Sequence, residues 1–170
     1  MRTDVRHEGE RGIHFIAEWI SDWINSKLGP VLYGLPYRYG ELEYQRNEET
    51  VNGIVRGGND TLMFRGSVAG PGGCDAGLEA FLLERYVAFN AGEGRQRFFR
   101  VWQEPWDRRK AAVEILGDSL MRANFDWWSR VEQHSAHVSR GVFGVRMVRP
   151  RQVSAIPSPL RDRPDAVSET

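Results

Sequence analysis

Few residues of this chain have the type and spacing to do chemistry. His134-Ser135-Ala136-His137 places two histidines three apart. On a helix such a pair could share a metal ion. Here it leads into a β-patterned run, where residues three apart face opposite sides of the strand. No Asp, Glu or Cys cluster stands beside it at ligand spacing, so neither a metal nor a cofactor is expected. Cys74 follows Gly72-Gly73. An exposed thiol near basic groups can have a depressed pKa and act as a nucleophile. Nothing around Cys74 marks it as more than a loop cysteine. Ser67 and Ser139 lack the G-x-S-x-G turn that presents a serine nucleophile. Lys110 follows Arg108-Arg109, and neighbouring cations lower an amine pKa toward Schiff-base chemistry. Asp107-Arg108-Arg109-Lys110 reads equally as a solvated basic turn.

Two further groupings have the composition of pocket walls. Glu84-Arg85-Tyr86 puts an acid, a guanidinium and a phenol where a helical pattern passes into a strand pattern. The trio could line a site, or form a structural ion pair, since buried charges are seldom left unpaired. Trp102-Gln103-Glu104-Pro105-Trp106 carries two indoles that could line an apolar cavity or fill a core, each N–H then needing a partner. Trp127-Trp128 and Trp19/Trp23 read first as core or interface.

The elements that must position these residues are mostly strands. Thr3, Val5 and His7 alternate with their neighbours, Gly9 marks a turn, and Ile13, Phe15 and Ala17 alternate again, as in a hairpin. A helix begins at Ser21-Asp22, with an apolar face of Ile20, Ile24, Leu28 and Val31. Gly29-Pro30 should kink or split it, and Gly34 with Pro36 should end it. The strand phase changes at Gly40, as at a β-bulge. Val51 to Arg56 and Thr61 to Arg65 form a hairpin around Gly57-Gly58-Asn59-Asp60. Asp75 caps a second helix with Leu78, Phe81 and Leu82 on its apolar face. Tyr86 to Phe89 and Arg95 to Trp102 form another hairpin, and Ala111 to Leu116 alternate cleanly. A short helical turn follows over Asp118 to Ala123, and the last strands lie at Val138 and over Phe143 to Met147. Sequential hairpins favour antiparallel pairing.

The chain has 170 residues, enough for one domain with a real core. The expected domain is residues 1–153, with a disordered Pro- and Ser-rich tail over 154–170. Net charge is zero, from 23 basic and 23 acidic residues, which argues against a nucleic-acid partner. No apolar run approaches the roughly 20 residues that span a bilayer, so no membrane partner is expected. A single cysteine and no secretory signal point to a reducing cytoplasm. All but two of the basic residues, Lys27 and Lys110, are arginine. That leaves few candidates for amine chemistry.

Four segments together resemble the YqjF-like (DUF2071) family of the acetoacetate decarboxylase-like superfamily. They are Gly34-Leu35-Pro36-Tyr37-Arg38, the run Leu78 to Tyr86, Trp102 to Trp106, and His137-Val138-Ser139-Arg140-Gly141-Val142. The resemblance spans Arg2 to about Val153 and implies an α+β fold, mostly antiparallel, with a barrel-like curved sheet, two packed helices and a central cavity. In the decarboxylases a catalytic lysine follows a similar W-x-x-P stretch. On this chain that place falls on Trp106, so Schiff-base decarboxylation is not expected. Family members often carry a histidine before the Pro-Trp pair, where Gln103 and Glu104 stand here. Members also carry strands before the segment that Arg2-Thr3 resembles. The expectation is therefore a shortened member or a late start codon, with exposed edges that would favour a partner, such as a homo-oligomer.

The reading of function that follows is a small-molecule ligand, such as an organic acid, held in the cavity. Tyr37, Trp102 and Trp106 would form apolar walls. Glu84, Arg85 and Tyr86 would orient a polar or carboxylate group, and His137 would act as an acid or base. The alternative is a non-catalytic structural or interaction module, or a piece of a longer protein.

Overall fold

The structure, a computed structural model, describes residues 1–68, 86–92, 95–104, 108–139 and 145–153. Within them the chain is mostly antiparallel sheet. β1 (Arg2–His7) and β2 (Glu10–Phe15) form the opening hairpin, with register from Arg2↔Phe15 to His7↔Glu10. Its two-residue turn has Glu8 at φ 49 and Gly9 at φ 85, the positive pair that a tight hairpin turn uses. β2 lies parallel to β8 (Val87–Gly92) through Ile13↔Ala88. β8 pairs antiparallel with β9 (Arg95–Trp102), whose other edge takes β12 (Arg146–Met147) and β13 (Arg151–Val153).

A second, wholly antiparallel sheet has the order β11-β10-β7-β6-β5. Its strands are β5 (Glu41–Arg46), β6 (Thr50–Gly57), β7 (Asp60–Val68), β10 (Arg108–Gly117) and β11 (His137–Ser139). The expected β6–β7 hairpin forms, with Gly57 opposite Asp60. A third, two-stranded sheet pairs β3 (Glu18–Ile20) with β4 (Tyr37–Tyr39) in parallel. This pair departs from a chain of simple hairpins because helix α1 (Trp23–Tyr33) lies between the two strands. Parallel neighbours need such a crossover. At Gly40 the chain leaves β3 and joins β6, so the phase change there is a passage between sheets rather than a bulge in one strand. Helix α2 (Ser119–Asn124) occupies the expected short helical turn. The helix expected from Asp75 and the tail over 154–170 lie outside the described residues.

Helix α1 starts as expected. The Asp22 carboxylate accepts the Asn25 N–H at 3.0 Å. It ends at Gly34, which takes φ 69 and donates to the Pro30 carbonyl at 3.0 Å. Two expectations fail along its length. The helix runs unbroken through Pro30, which removes only the donor that would bond the Ser26 carbonyl. Side chains of the sheet hold the turn that follows. Arg97 Nη2 donates to the Val31 carbonyl at 2.9 Å, and Asn90 Nδ2 donates to the Gly34 carbonyl at 3.2 Å.

The predicted apolar face is also not the buried one. Ile24, Leu28 and Val31 are exposed, whereas Ser26 and Gly29 are buried. The Tyr37 ring occupies the space where a side chain on Gly29 would begin. Small residues therefore face the sheet, letting the helix approach β4 closely.

Two apolar clusters form the core. Ile13, Leu35, Ala88 and Phe99 gather where β2, β8 and β9 meet the end of α1, with Phe15, Tyr33, Tyr37, Val101 and Met147 around them. Ala17, Met121 and Phe125 form the second, flanked by Trp19, Trp127 and Trp128. The Trp128 indole N–H finds its partner in Asp118 Oδ2 at 2.9 Å.

Candidate functional site

A cavity of about 570 Å³ opens where the three sheets meet. Ile13 and Phe15 of β2, Phe99 and Val101 of β9, Leu35 and Met147 give it an apolar wall. Alternation along β2 and β9 sends these side chains to one face. The polar groups converge from other elements. Arg2 comes from β1, Glu18 from β3, Tyr37 from β4, Gln103 from the end of β9, and His137 and Ser139 from β11.

Glu18 and Tyr37 stand directly opposite each other across the parallel β3–β4 pair. Burial raises the Glu18 carboxyl above its ordinary range, and the nearby Met1 ammonium and Arg2 only partly offset this. The Tyr37 phenol is raised first by burial and then by the negative charge of Glu18. Burial lowers the Met1 ammonium, which donates to the Ala17 carbonyl at 2.6 Å. A carboxyl that keeps its proton to higher pH, beside a phenol and an imidazole, can exchange protons or hydrogen bonds with a polar ligand group. Ser139 is tied down through its carbonyl, which accepts from Arg46 Nη1 at 2.5 Å.

Of the residues singled out in the sequence, Tyr37 and His137 come together on this wall. Trp102 does not line it. That side chain is 58% exposed, with the Arg146 guanidinium 5.7 Å from the ring centroid. Tyr86 is half-buried at the start of β8, and its carbonyl accepts the Val101 N–H at 2.7 Å. Glu84, Arg85, Trp106 and Cys74 lie outside the described residues. Lys110 is exposed on β10, opposite His137, and is not part of the wall. His134 is exposed in the segment before β11. Among the described residues no group of three or more His, Cys, Asp or Glu could hold a metal ion. No helix among them is long and apolar enough to cross a membrane.

Sequence reasoning missed Glu18. One signal was available: Glu18 is a single carboxylate within the run Ile16-Ala17-Glu18-Trp19-Ile20. Acidic residues are rarely buried without a reason. Its pairing with Tyr37 was not legible, because it depends on the crossover through α1.

The architecture is the acetoacetate decarboxylase-like fold. The chain superimposes on an acetoacetate decarboxylase from Legionella pneumophila with a TM-score of 0.57 at 11% identity, over 90% of this chain and 64% of that one. Identity this low speaks for the fold alone. The chain thus spans less than two thirds of the decarboxylase's length. A family model matches residues 1–143, and the chain belongs to that family, DUF2071, described as an uncharacterized conserved protein. No curated protein matches the chain in sequence.

Proposed function

We propose that the cavity binds a small organic acid or a similar metabolite, and that it does so without Schiff-base decarboxylase chemistry. The observation that carries this reading is the convergence of Arg2, Glu18, Tyr37 and His137 on one apolar hollow of about 570 Å³. Ligand pockets have this size and this mixture of apolar wall and few polar groups. Arg2 supplies positive charge for a carboxylate, and the Tyr37 phenol, with Glu18 opposite it, supplies a hydrogen-bond donor for a carbonyl or hydroxyl. The exposed position of Lys110 speaks against that amine as a Schiff-base former.

The test is thermal unfolding of the full chain with acetate, pyruvate, acetoacetate and benzoate, repeated on Val101→Trp, which fills the hollow. A saturable rise in Tm that disappears in the variant supports the reading. No rise with any of the acids overturns it. Borohydride added with acetoacetate should leave the protein mass unchanged. A reduced adduct on Lys110 or on the Met1 amine would reinstate Schiff-base chemistry.

An interaction module is the second reading. The exposed Ile24, Leu28, Val31 and Leu32 of α1 favour it. Sedimentation of the wild type as a homo-oligomer, reduced to a monomer by Leu28→Glu, would support it over a purely ligand-binding role.

A further inference from the structure

A polar row crosses the first sheet beneath the C-terminal end of α1. Arg97 on β9 stands opposite Asn90 on β8 and opposite Gln152 on β13. Directly opposed residues on neighbouring strands share a face. Asn90 is fully satisfied by the sheet and helix: its Oδ1 accepts the Phe15 N–H at 3.2 Å while its Nδ2 bonds Gly34.

Arg97 is different. It is only 9% exposed and uses Nη2 to hold the Val31 carbonyl, yet its Nη1 is buried with no hydrogen-bond partner among the described residues. A buried, unpaired donor on a permanent cation is costly. Clamping the helix explains one arm of the guanidinium and leaves the other unexplained.

The unused arm belongs to a side chain on the wall of a second cavity, of about 500 Å³. Arg149, Arg151 and Gln152 also line it, and among the described residues no acidic side chain does. Val31 and Tyr33 add apolar surface. Three guanidiniums, one of them fixed by the fold with a donor unsatisfied, form a concave site of one sign. Guanidiniums match carboxylate and phosphate oxygens in fork geometry. Arg149 and Arg151 are exposed and can close over a ligand from the solvent side.

We infer that this second cavity is a binding site for a small oxyanion, a phosphate or carboxylate group, with Arg97 as its buried cation. Any organic part of the ligand lies against Val31 and Tyr33. Arg97 is then both the clamp on α1 and the floor of the site, so occupancy reinforces the seating of the helix. The site is separate from the hollow around Glu18 and does not rest on the reading of that hollow.

The test uses the full chain at low ionic strength, with inorganic phosphate and succinate as separate probes and sodium chloride matched in ionic strength as control. The expected result is a saturable rise in Tm with at least one probe and none with chloride. The stronger probe identifies the oxyanion. Arg149→Ala/Arg151→Ala removes two exposed side chains and should leave the probe-free Tm unchanged. It should weaken the apparent affinity on the order of tenfold or more, the usual worth of a hydrogen bond to a charged group. Arg97→Lys keeps the charge but loses the fork. It should also weaken binding, while Val101→Trp in the other hollow should not. No response beyond chloride, or an undiminished response in the double variant, overturns the inference.

Discussion

Both large sheets contain long antiparallel ladders, the first joined to its opening hairpin by a parallel contact, yet they are covered very differently. In the first, β8 buries Ala88, Phe89 and Asn90 in succession, and β9 buries Arg97 and Phe99. In the second, β5 is exposed from Glu41 to Gln45, and Leu42, Tyr44, Ile115 and Leu116 are all exposed. The pairing that forms a ladder is therefore not what separates the two sheets. Cover is. The first sheet lies under α1 and around the cavity, whereas the face of β5 that carries Leu42 and Tyr44 has little over it among the described residues. Charge follows the same division. Arg65 and Glu114 pair at 2.8 Å in the open on the second sheet, whereas Glu18, on the two-stranded sheet, is half-buried at the cavity that the first sheet walls.

The largest expected effect is at Phe99, which is 1% exposed and packs edge-on to Tyr33. Phe99→Ala should cost about 3–5 kcal/mol, from lost transfer energy and the cavity left behind. Urea unfolding with an unchanged slope measures it. A loss below about 1 kcal/mol would mean that the covered sheet is no more consolidated than the open one.

Next is Gly29→Ala. In a free helix this exchange would gain about 1 kcal/mol. Here the new methyl meets the Tyr37 ring, and such overpacking costs about 1–3 kcal/mol. A net loss of stability, together with a weaker response to cavity ligands as Tyr37 is displaced, is expected. A net gain would show that α1 is not seated on β4 as described.

A smaller effect separates the two sheets by pH. The folded pKa of Glu18 is raised, so the folded state holds the proton more tightly than the unfolded chain. Stability from this group is then full below the unfolded carboxyl pKa and is lost as pH rises through the folded value. Glu18→Gln should remove that decline, so the variant gains on the wild type as pH rises from about 4. The lowered pKa of the Met1 ammonium acts at higher pH and is itself coupled to Glu18, so the comparison is read on the acidic side of the ammonium's range. Glu114→Gln should leave the profile unchanged, because an exposed pair contributes little. Urea midpoints across the pH range decide it, and parallel profiles for wild type and Glu18→Gln would sink the claim.

Much of this fold was legible because it is written in local chemistry. The Gly9 and Gly58 turns, the Asp22 and Gly34 caps and the alternation of β10 each follow from a few adjacent residues. What was not legible depends on cover. Ile24, Leu28 and Val31 have the spacing of a buried helical face, but the Tyr37 ring of β4 leaves room only for Gly29, and Ser26 is buried with it, so the apolar stripe turns outward. Leu42 and Tyr44 alternate as well as Val87 and Phe89 do, and periodicity alone cannot say which pair will be roofed. The same holds for the candidate site. Tyr37 and His137 carry their chemistry in their residue type. Glu18 and Arg97 acquire theirs from a parallel crossover and from a three-strand row, neither of which is a local pattern.

The smallest expected effect bears hardest on the comparison. Leu42 is 45% exposed on β5, opposite Val55 of β6. If the ladder stabilised the second sheet through its apolar side chains, Leu42→Thr would cost as much as a core truncation. If cover decides, the change removes little buried surface and places a β-branched residue on the strand, so stability should stay within about 0.5 kcal/mol of wild type. The same urea experiment that reads Phe99→Ala reads this variant. A loss above about 2 kcal/mol would require a roof over β5, supplied by a second molecule or by residues beyond those described, and the division between a covered and an open sheet would then belong to the isolated chain rather than to the working protein.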